Sequence, residues 1–214
     1  MDCLNGRWIM EKSHCTGTDG MLKLQGIGWT LRKAIGLTTL RLDVSSYQDN
    51  TPSGSGATVI DVLATPTGGL AGTREKRIMD WTAQDHKDYL FGACQHQSRF
   101  VYGVKDEQGK VYPDVDMQTQ AGKDNENVKR FLRGEILENG EDSAWSVPET
   151  GSSDAGAKDV WVHTLVRNLD AGWTAEQVWG FEVINGERYH TRRIVTATPK
   201  GEYVLGRLAY RLSE

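Results

Sequence analysis

Gly6-Arg7-Trp8, followed by Met21-Leu22-Lys23-Leu24-Gln25-Gly26-Ile27-Gly28-Trp29-Thr30-Leu31-Arg32-Lys33-Ala34-Ile35-Gly36, decides how the rest of the chain is read. Leu4 to Ser13 is an apolar, β-compatible run around Trp8, Ile9 and Met10, which predicts a first strand ending in the polar residues 13–18. Thr18 or Asp19 then caps a short helix carrying Met21, Leu22 and Leu24. After the breaker Gly26-Ile27-Gly28, the residues Leu31, Ala34 and Ile35 recur at i, i+3, i+4, and Gly36 is the expected left-handed C-cap of a second helix. Helices this short fall below the roughly 12 to 15 residues that are marginally stable alone in water, so both must pack on strands.

The strands follow. Thr38 to Tyr47 alternates Leu40, Leu42 and Val44 with Thr39, Arg41 and Asp43, and residues 49–56 are a turn cluster. Thr58 to Ala64, Thr73 to Trp81, Tyr89 to Ala93 and Ser98 to Val104 complete a first half. Val160 to Arg167, Thr174 to Ile184, Tyr189 to Thr198 and Tyr203 to Leu212 form a second, with Asn185-Gly186 as a two-residue hairpin signal. About nine or ten strands joined by short turns predict an all-β protein, a single up-and-down antiparallel barrel with an N-terminal helix-turn-helix lid. A sandwich is the alternative that strand order leaves open.

Residues 106–159 break this rhythm, with 13 acidic against 6 basic residues. The domain is therefore read as 1–214, with 106–159 an acidic insertion within it. Val128, Phe131, Leu132, Ile136 and Leu137 leave helix or strand open for residues 124–139, and Ser143 to Lys158 has the composition of a linker. The expectation is a solvated surface feature dispensable for folding; the alternative is a flap over a cavity mouth.

Composition narrows the function. A net charge of −4 over 214 residues gives no nucleic-acid footprint, and mean hydropathy is −0.53. No apolar run of membrane-spanning length and no signal peptide is visible, so a cytoplasmic protein without membrane insertion is expected. Cys3, Cys15 and Cys94 lack paired spacing and are expected as free thiols, with no metal site. There is no Gly-x-Ser-x-Gly and no Gly-x-Gly-x-x-Gly, and His14, His86, His96, His163 and His190 lack ligand spacing. His86 and His96 are expected in solvated turns, with Asp85 and Asp88 beside His86 in a polar turn. No cofactor is expected, and homo-oligomerisation is left open.

The ordered set Gly6-x-Trp8, Leu22-Lys23, Gly26-Ile27-Gly28 and Arg32-Lys33 resembles the opening of the fatty-acid-binding proteins, and Gly-x-Trp is shared with lipocalins. The block is also similar to stand-alone lipocalin-like proteins of fungi, some associated with natural-product pathways. The resemblance implies a calycin-type barrel around a hydrophobic small-molecule ligand. The chain departs from the lipid-binding pattern at its last strand, where Arg207-Leu208-Ala209-Tyr210 replaces Arg-x-Tyr and puts Arg207 and Tyr210 on opposite faces. Fatty-acid carboxylate binding is therefore not expected.

The candidate site comes from strand faces on which aromatic and polar residues alternate. Gln177, Trp179 and Phe181 share one face, Glu75, Arg77, Met79 and Trp81 another, and Trp161, His163 and Leu165 a third. On 187–197, Tyr189, Thr191 and Arg193 oppose Arg188, His190 and Arg192, and the second face is expected to be the wet one, with Glu75 as a partner for Arg193. Expected catalytic groups are Gln177, Arg77, His163 and Tyr189; expected substrate-binding residues are Trp81, Trp161, Trp179, Phe181 and Met79. The resemblance to fungal lipocalin-like proteins implies a cofactor-independent cyclase or pericyclase, of Diels–Alder or hetero-Diels–Alder type, for a hydrophobic polyketide or terpenoid. The alternative is a non-catalytic carrier of a hydrophobic molecule.

Overall fold

The computed structural model describes residues 4–50, 56–146 and 160–213. Strand β1 (Gly6–Met10) leads through a 3-10 turn into helices α1 (Thr18–Leu24) and α2 (Trp29–Leu37). Strands β2 (Leu40–Gln48), β3 (Thr58–Pro66), β4 (Thr73–Ile78), β5 (Gln84–Asp88), β6 (Gly92–Lys105) and β7 (Val111–Pro113) follow. Helix α3 (Asn125–Leu132) precedes β8 (Val160–Asn168), β9 (Thr174–Ile184), β10 (Glu187–Ala197) and β11 (Tyr203–Leu212).

Ten strands form one curled antiparallel sheet, a half-barrel in the order β4-β3-β2-β1-β11-β10-β9-β8-β6-β5, with β7 added to β6. First and last strands pair through Trp8 and Leu212, so the meander returns on itself as an up-and-down barrel does. The β9–β10 connection is the predicted two-residue turn: Asn185 and Gly186 both take positive φ, 53° and 83°. Gly36 is not a cap; it lies inside α2, which ends at Thr38 in extended backbone.

The alternation of each strand separates two apolar layers. Inward residues Trp8, Leu42, Ile60, Val62, Val162, Trp179, Phe181 and Tyr210 form the barrel core, with Cys94, Trp173 and Ala175 as a smaller group toward α1. A further cluster joins outward residues of the sheet, Val101, Trp161, Val178 and Val195, to Val128, Phe131, Leu132, Ile136 and Trp145 of the insertion.

That outer layer corrects the reading of the insertion. Val128, Phe131 and Leu132 recur at i, i+3, i+4 on α3 and are completely buried against the sheet. Glu176 on β9 accepts hydrogen bonds from the backbone N–H of Gln118 (3.0 Å) and Thr119 (2.6 Å), and Arg193 on β10 donates to the carbonyls of Phe131 and Ile136. Ser146 N–H bonds Phe181 O at 2.7 Å. The insertion up to residue 146 is therefore a packed outer wall, its acidic groups crowded onto the remaining surface; residues 147–158 of the expected linker lie outside the described residues.

Because that wall covers β8 to β10, both faces of β10 are buried, and neither is wet. His190 and Arg192 point into the barrel. Arg193 points outward, where its partner is Glu182 and not Glu75.

Candidate functional site

Between the inner face of the sheet and α1 lies a cavity of about 190 Å³. Met21 and Leu22 of α1, Phe91, Trp173, Ala175, Ile194 and Leu208 supply apolar wall. Glu75 and Arg77 on β4, His86 on β5, His96 on β6, Gln177 on β9 and Thr196 on β10 supply polar groups. The alternation of residues along each strand brings these groups inward from five strands.

Glu75 and Arg77 form an ion pair at 2.5 Å, and Arg77 Nη1 donates to Thr164 Oγ1 at 2.8 Å. Burial pushes the Glu75 carboxyl up, but the Arg77 and Arg192 guanidiniums together outweigh it and hold it below its ordinary value. Gln177 Oε1 accepts the indole N–H of Trp179 at 2.9 Å, which leaves its amide nitrogen for the chamber. Arg77 Nε, His96 Nδ1 and Thr196 Oγ1 are buried without a partner among the described residues. Unpaired buried donors and acceptors are costly, and they mark where a ligand's polar atoms would be satisfied.

Arg192 lies 3.8 Å over the Trp179 ring, and His190 stacks on Tyr210 at 5.7 Å. Burial, with the Arg192 charge, lowers His190 to about 3; burial raises Tyr210 to about 12. Burial and the neighbouring Arg77 lower His96 to about 4. Both histidines bind a proton more weakly folded than unfolded, so the unfolded chain takes up more protons between about pH 6.5 and 4, and stability falls as pH drops through that window. Urea midpoints measured at pH 7 and 4.5 should show this loss, and His190→Phe should flatten it; an unchanged pH slope would contradict it.

Of the site residues expected from sequence, Arg77 and Gln177 line the chamber, and Trp179, Phe181 and Met79 pack in the core beneath it. Four others are elsewhere. His163 and Trp161 lie on the outer face of β8 under the insertion, His163 bonded to Glu176 at 2.7 Å and Trp161 in the outer cluster. Trp81 packs outside, 4.8 Å from His163 and 4.2 Å from the Arg99 guanidinium. Tyr189 faces outward, its hydroxyl donating to Glu187 and its ring edge-on to His14. The inward face of β8 is Val162, Thr164 and Val166 because the larger side chains of the opposite face fill the contact with the insertion.

Sequence reasoning missed His96 and His86, and it placed Glu75 on the Arg77 face but gave it Arg193 as partner where the structure pairs it with Arg77. Residues 94–97 were expected between strands, but β6 runs through them, and Cys94-x-His96-x-Ser98-x-Phe100 is one inward face. His86 sits on β5 with Nε2 3.2 Å from Asp88 Oδ2, and Asp88 Oδ1 accepts the backbone N–H of Leu90 and Phe91 in the following turn. On the last strand Tyr210 is inside, while Arg207 faces out and pairs with Glu182 at 3.1 Å. Cys15 and Cys94 are free thiols, and Cys3 lies outside the described residues. No helix among the described residues is long and apolar enough to cross a membrane.

The chain is 27% identical over 192 residues to a probable pericyclase of Mollisia scopiformis, spanning 90% of this chain and 80% of that protein. It is 24% identical over 189 residues to a pericyclase of an Acremonium species, spanning 88% and 80%. Both relatives are named as pericyclases. No protein-family model matches. Among solved structures, As-p18, an extracellular fatty acid binding protein, aligns over 99% of this chain and 97% of its own, at 14% identity and a TM-score of 0.37.

Proposed function

We propose that the protein is a pericyclase that closes a ring in a hydrophobic polyketide or terpenoid by a Diels–Alder or hetero-Diels–Alder reaction, without a cofactor. The observation that carries this reading is an apolar chamber with unpaired polar atoms on one side: Arg77 Nε and His96 Nδ1 have no partner among the described residues. Similarity to two proteins named pericyclases, along nearly the whole chain, supports the same reading.

A concerted cycloaddition needs no nucleophile. It needs two reacting ends held at contact distance, which converts the lost translational and rotational freedom into a prepaid term. Hydrogen bonds to a carbonyl on the electron-poor partner then lower its acceptor orbital, and donors fixed in a water-poor chamber cost no reorganisation when charge develops. Arg77, held by Glu75 and Thr164, and the Gln177 amide, held by Trp179, are such fixed donors.

The test is the rate and stereoisomer ratio of cyclisation of conjugated polyenes and quinone-methide precursors bearing a tethered alkene, with and without purified protein. Acceleration over the spontaneous reaction with enrichment of one isomer is expected. Stoichiometric binding with no acceleration would favour a carrier. Gln177→Ala should slow the reaction about tenfold, the worth of one hydrogen bond, because the walls still orient the substrate.

A further inference from the structure

Strands β4 and β5 are consecutive in the chain but form the two ends of the sheet, each paired on one side only. The segment between them crosses from β3 to β6: Met79 N–H donates to Thr58 O and Trp81 N–H to Ser98 O, both at 2.9 Å. Trp81 takes φ of 61°, an unfavourable conformation for a bulky residue, and is held there by Arg99 and His163. This crossing ties the seam at its base and leaves β4 and β5 unpaired above it.

Outside the seam lies a cleft of about 580 Å³ whose lining includes Arg74, Lys76, Ile78 and Gln84. His86 and His96 line both this cleft and the inner chamber. The partition between the two spaces therefore includes these imidazoles, 6.2 Å apart centre to centre.

The other approach, beneath α1, is fastened. Glu11 N–H bonds Ala209 O and Thr16 N–H bonds Arg207 O, each at 2.8 Å, so the chain entering α1 is stitched to β11. Gly206 on β11 lets α1 sit on the strand, since a Cβ there would lie 2.5 Å from Met21 Cε. The chamber, at about 190 Å³, is smaller than the roughly 300 to 1,000 Å³ of ordinary ligand pockets, so a ligand of common size must extend beyond it.

We propose that substrate enters the chamber through the β4–β5 seam, past His86 and His96, and that it is an elongated amphiphile whose apolar reacting part fills the chamber while its polar end stays in the outer cleft. Arg74 is already paired with Asp61 at 2.7 Å and Asp85 accepts from Gln95 at 3.2 Å, so Lys76 and Gln84, with Tyr47 and Asp49 on the same lining, are the polar groups nearest that end, which suits hydroxyl, amide or carbonyl oxygens. What happens inside the chamber rests on the pericyclase reading; the passage does not.

Cys94 reports on entry, because it is 3% exposed and forms part of the chamber wall. In a Cys3→Ser, Cys15→Ser background, alkylation of Cys94 by N-ethylmaleimide is followed by peptide mass spectrometry. Filling the cleft with Ile78→Trp, or independently with Gln84→Trp, should slow labelling about tenfold at unchanged urea stability, since access would then need local opening. Locking the lid with a Gly20→Cys, Val204→Cys disulfide, where a Gly20 Cβ would lie 3.2 Å from Val204 Cγ1, should leave the oxidised and reduced forms labelling alike. A maleimide with a short oligo(ethylene glycol) tail should label within about threefold of N-ethylmaleimide, its tail lying in the cleft.

Slowing by the lid lock and not by the cleft fillers would overturn the passage, and so would labelling that merely tracks global stability across the variants. Exclusion of the tailed reagent would overturn the amphiphile. No substrate is involved, so a failure here leaves the pericyclase reading standing, and absence of turnover leaves the passage standing.

Discussion

Arg193→Ala should destabilise the protein by about 3 to 5 kcal/mol, the usual cost of removing one partner of a buried ion pair. Arg193 is completely buried, and all five of its N–H donors are used. Nε and Nη2 bond Glu182 at 3.0 and 3.2 Å, Nη1 bonds Phe131 O at 3.1 Å and Ile136 O at 2.6 Å, and Nη2 reaches Ser143 Oγ at 2.7 Å. One guanidinium thus fastens β9 and β10 to the end of α3 and to the segment carrying Trp145. Its removal leaves the Phe131 carbonyl in the last turn of α3 and the Ile136 carbonyl beyond it without this donor, and Glu182 dependent on Thr191 and Arg207. A melting temperature lower by roughly 10 °C is expected for a chain of this size. Arg193→Lys should not restore it, because a lysine has three donors and no planar fork. A loss below about 1 kcal/mol would mean that the insertion is held by its apolar contacts alone.

Arg193 also shows what the sequence can and cannot reveal. Period-two alternation was legible: β9 and β11 run over the residues expected, and Asn185-Gly186 turns as its residue types require. Alternation identifies two faces but does not say which one is inside, and that choice normally rests on one face being polar. Here the insertion covers the outer face of β8 to β10, so Trp161, His163, Val178 and Arg193 are as buried as the core residues opposite them. The charge count of the insertion concealed this cover, since Val128, Phe131 and Leu132 are few among many acidic residues yet lie on one stripe of a short helix.

The candidate site was legible where a strand carried one kind of face only. Gln177, Trp179 and Phe181 alternate on β9 against Glu176, Val178 and Gly180, and the larger aromatic set is the inner one. On β8 the same reasoning selects Trp161 and His163, which are the outer set, because the aromatic contact there is with Trp145 and the insertion. His96 was hidden by a different cause: polar Gln95, Gln97 and Ser98 surround it, so a continuous strand looks like a turn until its pairing with β8 is seen.

Ala175→Trp should abolish catalysis while leaving the fold intact. Ala175 stands on the chamber wall two residues from Gln177, and it is the smallest side chain of that wall. A cavity of about 190 Å³ takes up most of an indole, so the strain should stay at or below the roughly 1 to 3 kcal/mol typical of overpacking. Turnover should fall by on the order of 10²-fold or more, toward the spontaneous rate, because a substrate displaced by even 1 Å loses the contact distance between its reacting ends. The comparison with Gln177→Ala is the informative one. If orientation by the walls dominates, filling the chamber should cost far more than removing a donor, and the isomer ratio should drift toward that of the uncatalysed reaction. If Gln177→Ala costs more than Ala175→Trp, polarisation of the substrate is the larger effect. A folded Ala175→Trp protein with the parent's rate and selectivity would place the reaction outside this chamber.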